Sequence, residues 1–244
     1  MTLSPPPESQ PANATGAPDF VSQEPQRSRF DLAREAMVGS QLRTNEVTEP
    51  RLVAVLRRLP REQFVPARLR ESAYVDRALP LGDGRALNPA LTTARLVADL
   101  DLQSGEHVLL IGSATGYAAA LLAALGVRVT AVESDATLSH IAREALAVHG
   151  AAMVHWVDAP LHAPDVGDAG FDALLVDGAI ERLPEAIVTL LKPGARIALG
   201  WNDQGVTRLA RAVRVEGAPV APMPFAEFEC VALPGFAPPK GFHF

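Results

Sequence analysis

A single cysteine, Cys230, rules out a framework of internal disulfides and a cysteine-rich zinc site. Although 48% of the 244 residues are hydrophobic, no run approaches the roughly 18 consecutive apolar residues that a membrane span requires. The sequence also has no excess of positive charge. Its 22 Lys plus Arg stand against 28 Asp plus Glu, a net charge of −6, which argues against a protein held mainly on nucleic-acid phosphates. The six histidines show no metal-ligand spacing: His140 and His149 lie nine apart on one expected helix, and His155 and His162 flank a loop. No metal, nucleic acid or membrane partner is therefore expected. What remains is a small or protein-borne substrate.

Residues 1–29 carry six prolines and few apolar residues, too little burial to offset the entropy of ordering, so this stretch reads as a disordered tail. Prolines stand where a secretory signal would have its apolar stretch, and the expected location is cytoplasmic. Order is expected from Phe30. A helix over 30–42 follows a Ser28/Asp31 capping pattern. A second begins at Thr48 as N-cap, with Leu52, Val55, Leu56 and Leu59 on one face and Pro60 as its stop. Residues 60–88 are rich in turn formers, and a third helix is expected from Pro89 to Leu100. Residues 30–100 thus form an N-terminal helical subdomain ahead of an α/β domain over 101–244.

From His107 the period changes. Expected strands at 107–111, 127–132, 153–157, 171–176 and 196–201 alternate with helices at 117–125, 135–149 and 183–191. Such alternation specifies a mostly parallel sheet with helices on both faces. After Gly205 it ends, and 208–215 and 227–233 read as an antiparallel pair at one edge, giving seven strands. Cys230 on the last of them reads as core.

Between the first of these strands and its helix stands Gly112-Ser113-Ala114-Thr115-Gly116-Tyr117. A dinucleotide fingerprint, G-x-G-x-x-G, wants glycine at 112, 114 and 117, and only the first is present. The G-x-G-x-G turn of S-adenosylmethionine methyltransferases wants 112, 114 and 116, and two of three are present, with Ala114 in the middle. Taken alone, the turn fits a tight strand-to-helix connection equally well. Glu133 ends the second strand 21 positions after Gly112, where an acid accepts both hydroxyl protons of a ribose or is simply a solvated strand-end group. Asp158, ending the third strand, stands where an acid can bond an adenine amino group, and Asp177 ends the fourth. Each acid alone reads as a loop acid. Their convergence on one sheet edge points to a nucleoside-bearing ligand.

Three segments before the sheet carry a more specific pattern: Met37-Val38-x-x-Gln41-Leu42, Pro60-Arg61-Glu62-x-Phe64-Val65-Pro66, and Ala73-Tyr74-x-Asp76-x-x-Leu79-Pro80-x-Gly82-x-Gly84. With Ile111–Tyr117, Glu133 and Val157-Asp158, they resemble the protein-L-isoaspartate O-methyltransferase family from about 34 to 200. The resemblance implies a class I S-adenosylmethionine-dependent methyltransferase fold, Rossmann-like, with an N-terminal helical subdomain. It implies S-adenosyl-L-methionine as cofactor, held by Gly112, Ser113, Ala114, Thr115, Gly116, Tyr117, Glu133, Asp158 and Asp177. The implied substrate is a peptide or protein bearing an isoaspartyl carboxylate, and the implied role is repair of damaged proteins.

The chain departs from the family at three positions. Asn88 falls where the family has a serine near the reacting carboxylate, which makes Asn88 the candidate catalytic residue, still able to donate a hydrogen bond. Leu110 replaces a glutamate before the turn, and Ala114 replaces its middle glycine. These changes keep two alternatives open: a methyltransferase for a different carboxylate, and a binding protein on the same fold without turnover. The chemistry itself, displacement at a sulfonium by an ionised carboxylate, needs no general base.

Overall fold

The computed structural model describes Met1, residues 28–167 and residues 170–237. The expected disorder of 1–29 lies outside these residues except at its ends, and there Ser28 and Arg29 already belong to the first helix. Helix α1 (Arg29–Ala36) opens with a capping box, in which the Asp31 N–H donates to Ser28 Oγ and the Ser28 N–H to the Asp31 carboxylate. It runs on through a π-helical turn at Met37–Leu42. Helix α2 (Pro50–Leu56) is capped by Glu49 rather than by Thr48, its carboxylate accepting from the Arg51 and Leu52 N–H groups. Proline decides this: Pro50 takes the first helical position and forces an extended backbone on the residue before it, which makes that residue the cap.

Within the turn-rich stretch the structure adds a hairpin that the sequence reading missed, β1 (Leu79–Gly82) with β2 (Arg85–Leu87). Its loop is Asp83-Gly84, both at positive φ, the geometry that lets a two-residue loop follow the strand twist. Helix α3 (Ala90–Asp99) follows.

The α/β part then runs β3 (His107–Ile111), α4 (Tyr117–Ala124), β4 (Arg128–Glu133), α5 (Ala136–Val148), β5 (His155–Asp158), β6 (Phe171–Ile180), α6 (Glu185–Val188), β7 (Leu191–Asp203), β8 (Val206–Val213) and β9 (Met223–Ala226). The seven-stranded sheet has the order β5-β4-β3-β6-β7-β8-β9. Its first five strands are parallel, while β8 and β9 are antiparallel additions at one edge. Helix α6 is shorter than the expected 183–191, because pairing of Leu191 with Phe171 draws the end of that span into β7.

The last expected strand, 227–233, is not a strand. The edge pairing falls to Met223–Ala226, and residues 227–237 turn back across the carboxyl ends of the parallel strands. There Ala179 N–H donates to the Val231 carbonyl (2.7 Å) and Leu233 N–H to the Ala179 carbonyl (2.9 Å). Cys230 is buried as expected, but in this crossing segment.

Alternation along β3 shows how the two faces are filled. Val108 and Leu110 enter a core with Met37, Leu42, Leu56, Phe64 and Leu96 from the N-terminal helical part. Leu109 and Ile111 enter another with Leu174, Val176, Ile197 and Leu199, beneath Ile187 and Phe236. The helical part is thus fixed to one sheet face by shared apolar burial.

Candidate functional site

The chain reverses its direction of travel across the sheet between β3 and β6, and the crevice beyond their carboxyl ends is where open α/β sheets bind ligands. The glycine turn lies at this point. Gly112, Ala114 and Gly116 all have positive φ, at 81°, 48° and 89°. Glycine adopts such angles freely, but Ala114 carries a steric cost. The Thr115 hydroxyl donates to the Phe64 carbonyl (2.5 Å) and ties the turn to the helical part.

Glu133 is fully buried at the end of β4, and the turn wraps around it. Its carboxylate accepts from the backbone N–H groups of Ala114 (2.8 Å), Ser134 (2.8 Å) and Asp135 (3.0 Å). Arg85, projecting from the hairpin, closes the remaining side with a two-pronged ion pair, Nη1 to Oε1 and Nη2 to Oε2 (2.9 Å). Nothing in the local sequence announced this partner, which lies 48 positions away.

Asp177 is buried within β6 rather than at its end: it follows the last pair with β3, in the irregularity after which Ala179 and Ile180 resume parallel pairing with β7. Burial pushes its carboxyl above the usual carboxylate range, against the hydrogen bonds donated by Asn88 Nδ2 (2.8 Å) and Thr93 Oγ1 (2.9 Å). Both ends of the Asn88 amide are engaged, because its Oδ1 accepts from Val231 N–H (2.8 Å). The structure therefore places Asn88 as a brace between β6 and the crossing segment. Asp158 stands beside Glu133 in the sheet register but is half exposed. The Ser139 hydroxyl and the Arg143 guanidinium hold its carboxyl below the ordinary value.

Leu110 is wholly buried on the core face of β3, and Ser113 Oγ is buried without a hydrogen-bond partner among the described residues. Leu233 fills the space beyond both strand ends. A Cβ placed on Gly112 would lie 2.7 Å from its Cδ1, and one on Gly178 would lie 2.7 Å from its Cδ2. Arg85 and Thr93 are the site residues that sequence reading missed, whereas the stretch from Leu233 to Phe236 is open to reading as a pocket lining or a cover of the sheet edge. Only the Asp83-Gly84 hairpin loop hinted at Arg85, by marking the strand that carries it.

The N-terminal signature meets behind the turn. Arg34 donates through Nε to the Tyr74 hydroxyl (2.9 Å) and through Nη2 to Glu62 (3.2 Å), and Tyr74 in turn donates to Glu62. Arg61, fully buried, donates to the carbonyls of Ala73 (2.8 Å) and Asn88 (2.5 Å) and lies 4.7 Å over the Tyr117 ring. Gln41 donates to the Tyr74 carbonyl (3.0 Å).

A doubly wound sheet with a left-handed glycine turn and a strand-end acid at its switch point defines the class I methyltransferase fold. The match of residues 33–224 to the family described as protein-L-isoaspartate(D-aspartate) O-methyltransferase then shows that the chain belongs to that family, whose activity is methyl transfer from S-adenosylmethionine to isoaspartyl carboxylates. Protein-L-isoaspartate O-methyltransferase 1 of Rhodopseudomonas palustris (strain HaA2) is 34% identical over 207 residues, covering 84% of each chain. The Methylorubrum populi protein-L-isoaspartate O-methyltransferase is 37% identical over 184 residues, 75% of this chain and 86% of that one. A solved protein-L-isoaspartate O-methyltransferase shares the fold with a TM-score of 0.72 at 21% identity, over 83% of this chain and 66% of that chain. A putative Plasmodium falciparum protein-L-isoaspartate O-methyltransferase, solved with S-adenosyl-L-homocysteine, gives 0.67 at 14% identity, over 85% and 99%.

Proposed function

We propose that this chain is itself an S-adenosylmethionine-dependent O-methyltransferase acting on isoaspartyl carboxylates of damaged proteins. Its family match spans 33–224, and that single observation carries the reading. A cytoplasmic setting goes with it. Among the described residues no helix is long and apolar enough to cross a membrane.

The residues at the strand ends suit the cofactor. Glu133 already holds two N–H groups of a guanidinium side by side, and two vicinal ribose hydroxyls present donors of the same kind. Asp158 would take the adenine amino group and the turn 112–117 would line the methionine part, with the unpartnered Ser113 Oγ as a polar contact. When bound, the cofactor supplies a methyl group on a sulfonium, open to direct attack by a carboxylate.

The chain's own work is then to bind, align and exclude water. Asn88 and Thr93 both donate to Asp177 Oδ1, which fixes this part of β6 beside the turn. Arg61 ties the Asn88 carbonyl to the Ala73 carbonyl, so the hairpin side and the sheet side keep a fixed spacing. In this arrangement Asn88 acts as a positioning residue, since its amide serves Asp177 and Val231. The same observation favours the second reading, an acceptor of different chemistry, because no side-chain hydroxyl stands at position 88.

The deciding experiment is transfer of a radiolabelled methyl group to an isoaspartyl peptide, with the matching aspartyl peptide as control. Base-labile label on the isoaspartyl peptide alone is expected. Label on other carboxylates but not on isoaspartate would move the assignment to the different acceptor.

A further inference from the structure

Two of the chain's own groups stand at the switch point against residues to which the reading above gives the cofactor's ribose and methionine parts. Arg85 sets two N–H donors on Glu133, where a ribose would set two hydroxyls. Leu233, only 7% exposed, covers Gly112 and Gly178 at the ends of β3 and β6, leaving no room there even for a methyl group. The segment bearing Leu233 is fastened along its length. Thr92 Oγ1 donates to the Glu229 carbonyl (2.7 Å) and Val231 N–H to Asn88 Oδ1 (2.8 Å), while Ala179 of β6 donates its N–H to the Val231 carbonyl and accepts from Leu233 N–H. Cys230 fills the space above Gly200, and Phe236 is buried in the second core.

We propose that Arg85 and the segment 229–237 form an internal plug of the donor crevice, and that cofactor binding is coupled to their release. The inference rests on the donor reading given above. The pieces suit release as well as closure. The segment makes one isolated bridge to the sheet rather than a ladder, so few backbone bonds hold it. Arg85 sits on a three-residue strand of a two-stranded hairpin outside the main sheet. If Arg85 leaves, Glu133 keeps three backbone donors that hold its carboxylate in place. A ligand that binds only the open form has its apparent affinity reduced by the fraction of molecules that are open. The plug therefore sets cofactor affinity without touching the methyl group.

The test uses the full chain, with S-adenosylmethionine and S-adenosylhomocysteine as probes. Amide hydrogen exchange across 229–237 is followed with and without saturating cofactor, and dissociation constants are measured by calorimetry for the wild type, Arg85→Gln and Leu233→Ala. Exchange in the segment is expected to rise at least about tenfold on binding, while each variant tightens the cofactor by about tenfold. Equal affinities in all three proteins and unchanged exchange would overturn the plug and leave the donor reading intact. Absence of binding in the wild type and in both variants, with thermal melts showing folded protein, would overturn both. The exchange experiment on the wild type decides by itself if neither variant folds.

Discussion

Among the described residues an arginine is buried against a glutamate both behind the glycine turn and in front of it, and the two sites are built differently. Behind the turn, Arg34 serves Glu62, Tyr74 and Asp31 at once, joining helix α1 to residues 28 and 40 positions away. In front, Arg85 serves only Glu133, and Glu133 has three backbone N–H donors besides. Loss of the cation therefore leaves Glu62 with a single hydroxyl donor, from Tyr74, among the described residues, but leaves Glu133 with three backbone donors. Buried charge holds the fold together where each group depends on its partner, and it can be exchanged for a ligand where the backbone already carries one of the partners.

The sharpest way to break this comparison is Arg34→Met, which removes the guanidinium that Glu62 and the Tyr74 hydroxyl share, leaving the buried carboxylate without a cation and with Tyr74 as its donor. It should cost about 3–5 kcal/mol in urea unfolding, whereas Arg85→Gln should cost about 1–2 kcal/mol. Equal losses would show that the front pair is as structural as the rear one.

Leu110→Glu comes next in size. The family's acid stands at this position, but here the side chain is fully buried in the core shared with the helical part. A carboxylate there has no aqueous surroundings, and the substitution should destabilise by about 3 kcal/mol, read as a lowered urea midpoint at unchanged slope. An unaltered midpoint would mean that this face of β3 opens toward the crevice.

Asp177→Asn tests the front site by pH. The folded protein holds this carboxyl above its ordinary value of 3.8, so the native state binds its proton more tightly than the unfolded chain does. Its contribution to stability is therefore greatest below 3.8 and is lost as the pH rises through the raised folded value. The thermal midpoint of the variant relative to the wild type should accordingly climb as the pH is raised from 4 to 7. A constant difference would show that Asn88 and Thr93 fully offset the burial.

The smallest effect is expected at Ala114→Gly. It relieves a left-handed alanine at φ 48° but adds freedom to the unfolded chain, two terms of about 1 kcal/mol each and of opposite sign. The midpoint should move by less than about 3 °C, and a larger fall would point to a packing role for its methyl group.

Whatever depends on neighbours a few residues apart can be read from the order of the amino acids alone. The Ser28/Asp31 box, the apolar runs at His107–Ile111 and Phe171–Val176, the turn from Gly112 to Gly116 and the acids at the ends of β4 and β5 are local patterns, and they lie where periodicity and turn chemistry put them. The signature around Arg61, Glu62 and Tyr74 was legible as a pattern, but its work was not, because a clamp is defined by the partners it brings together. Long-range packing is what brings Arg85 to Glu133, joins Asp177 to Val231 through Asn88 across 89 and 143 positions, and takes 227–237 off the sheet edge to cross the strand ends. An apolar stretch such as Cys230–Leu233 can bury itself equally well as an edge strand or as a cover. The choice fell to the open backbone groups of Ala179 and to the space above Gly112, Gly178 and Gly200, none of which lies near it in the chain.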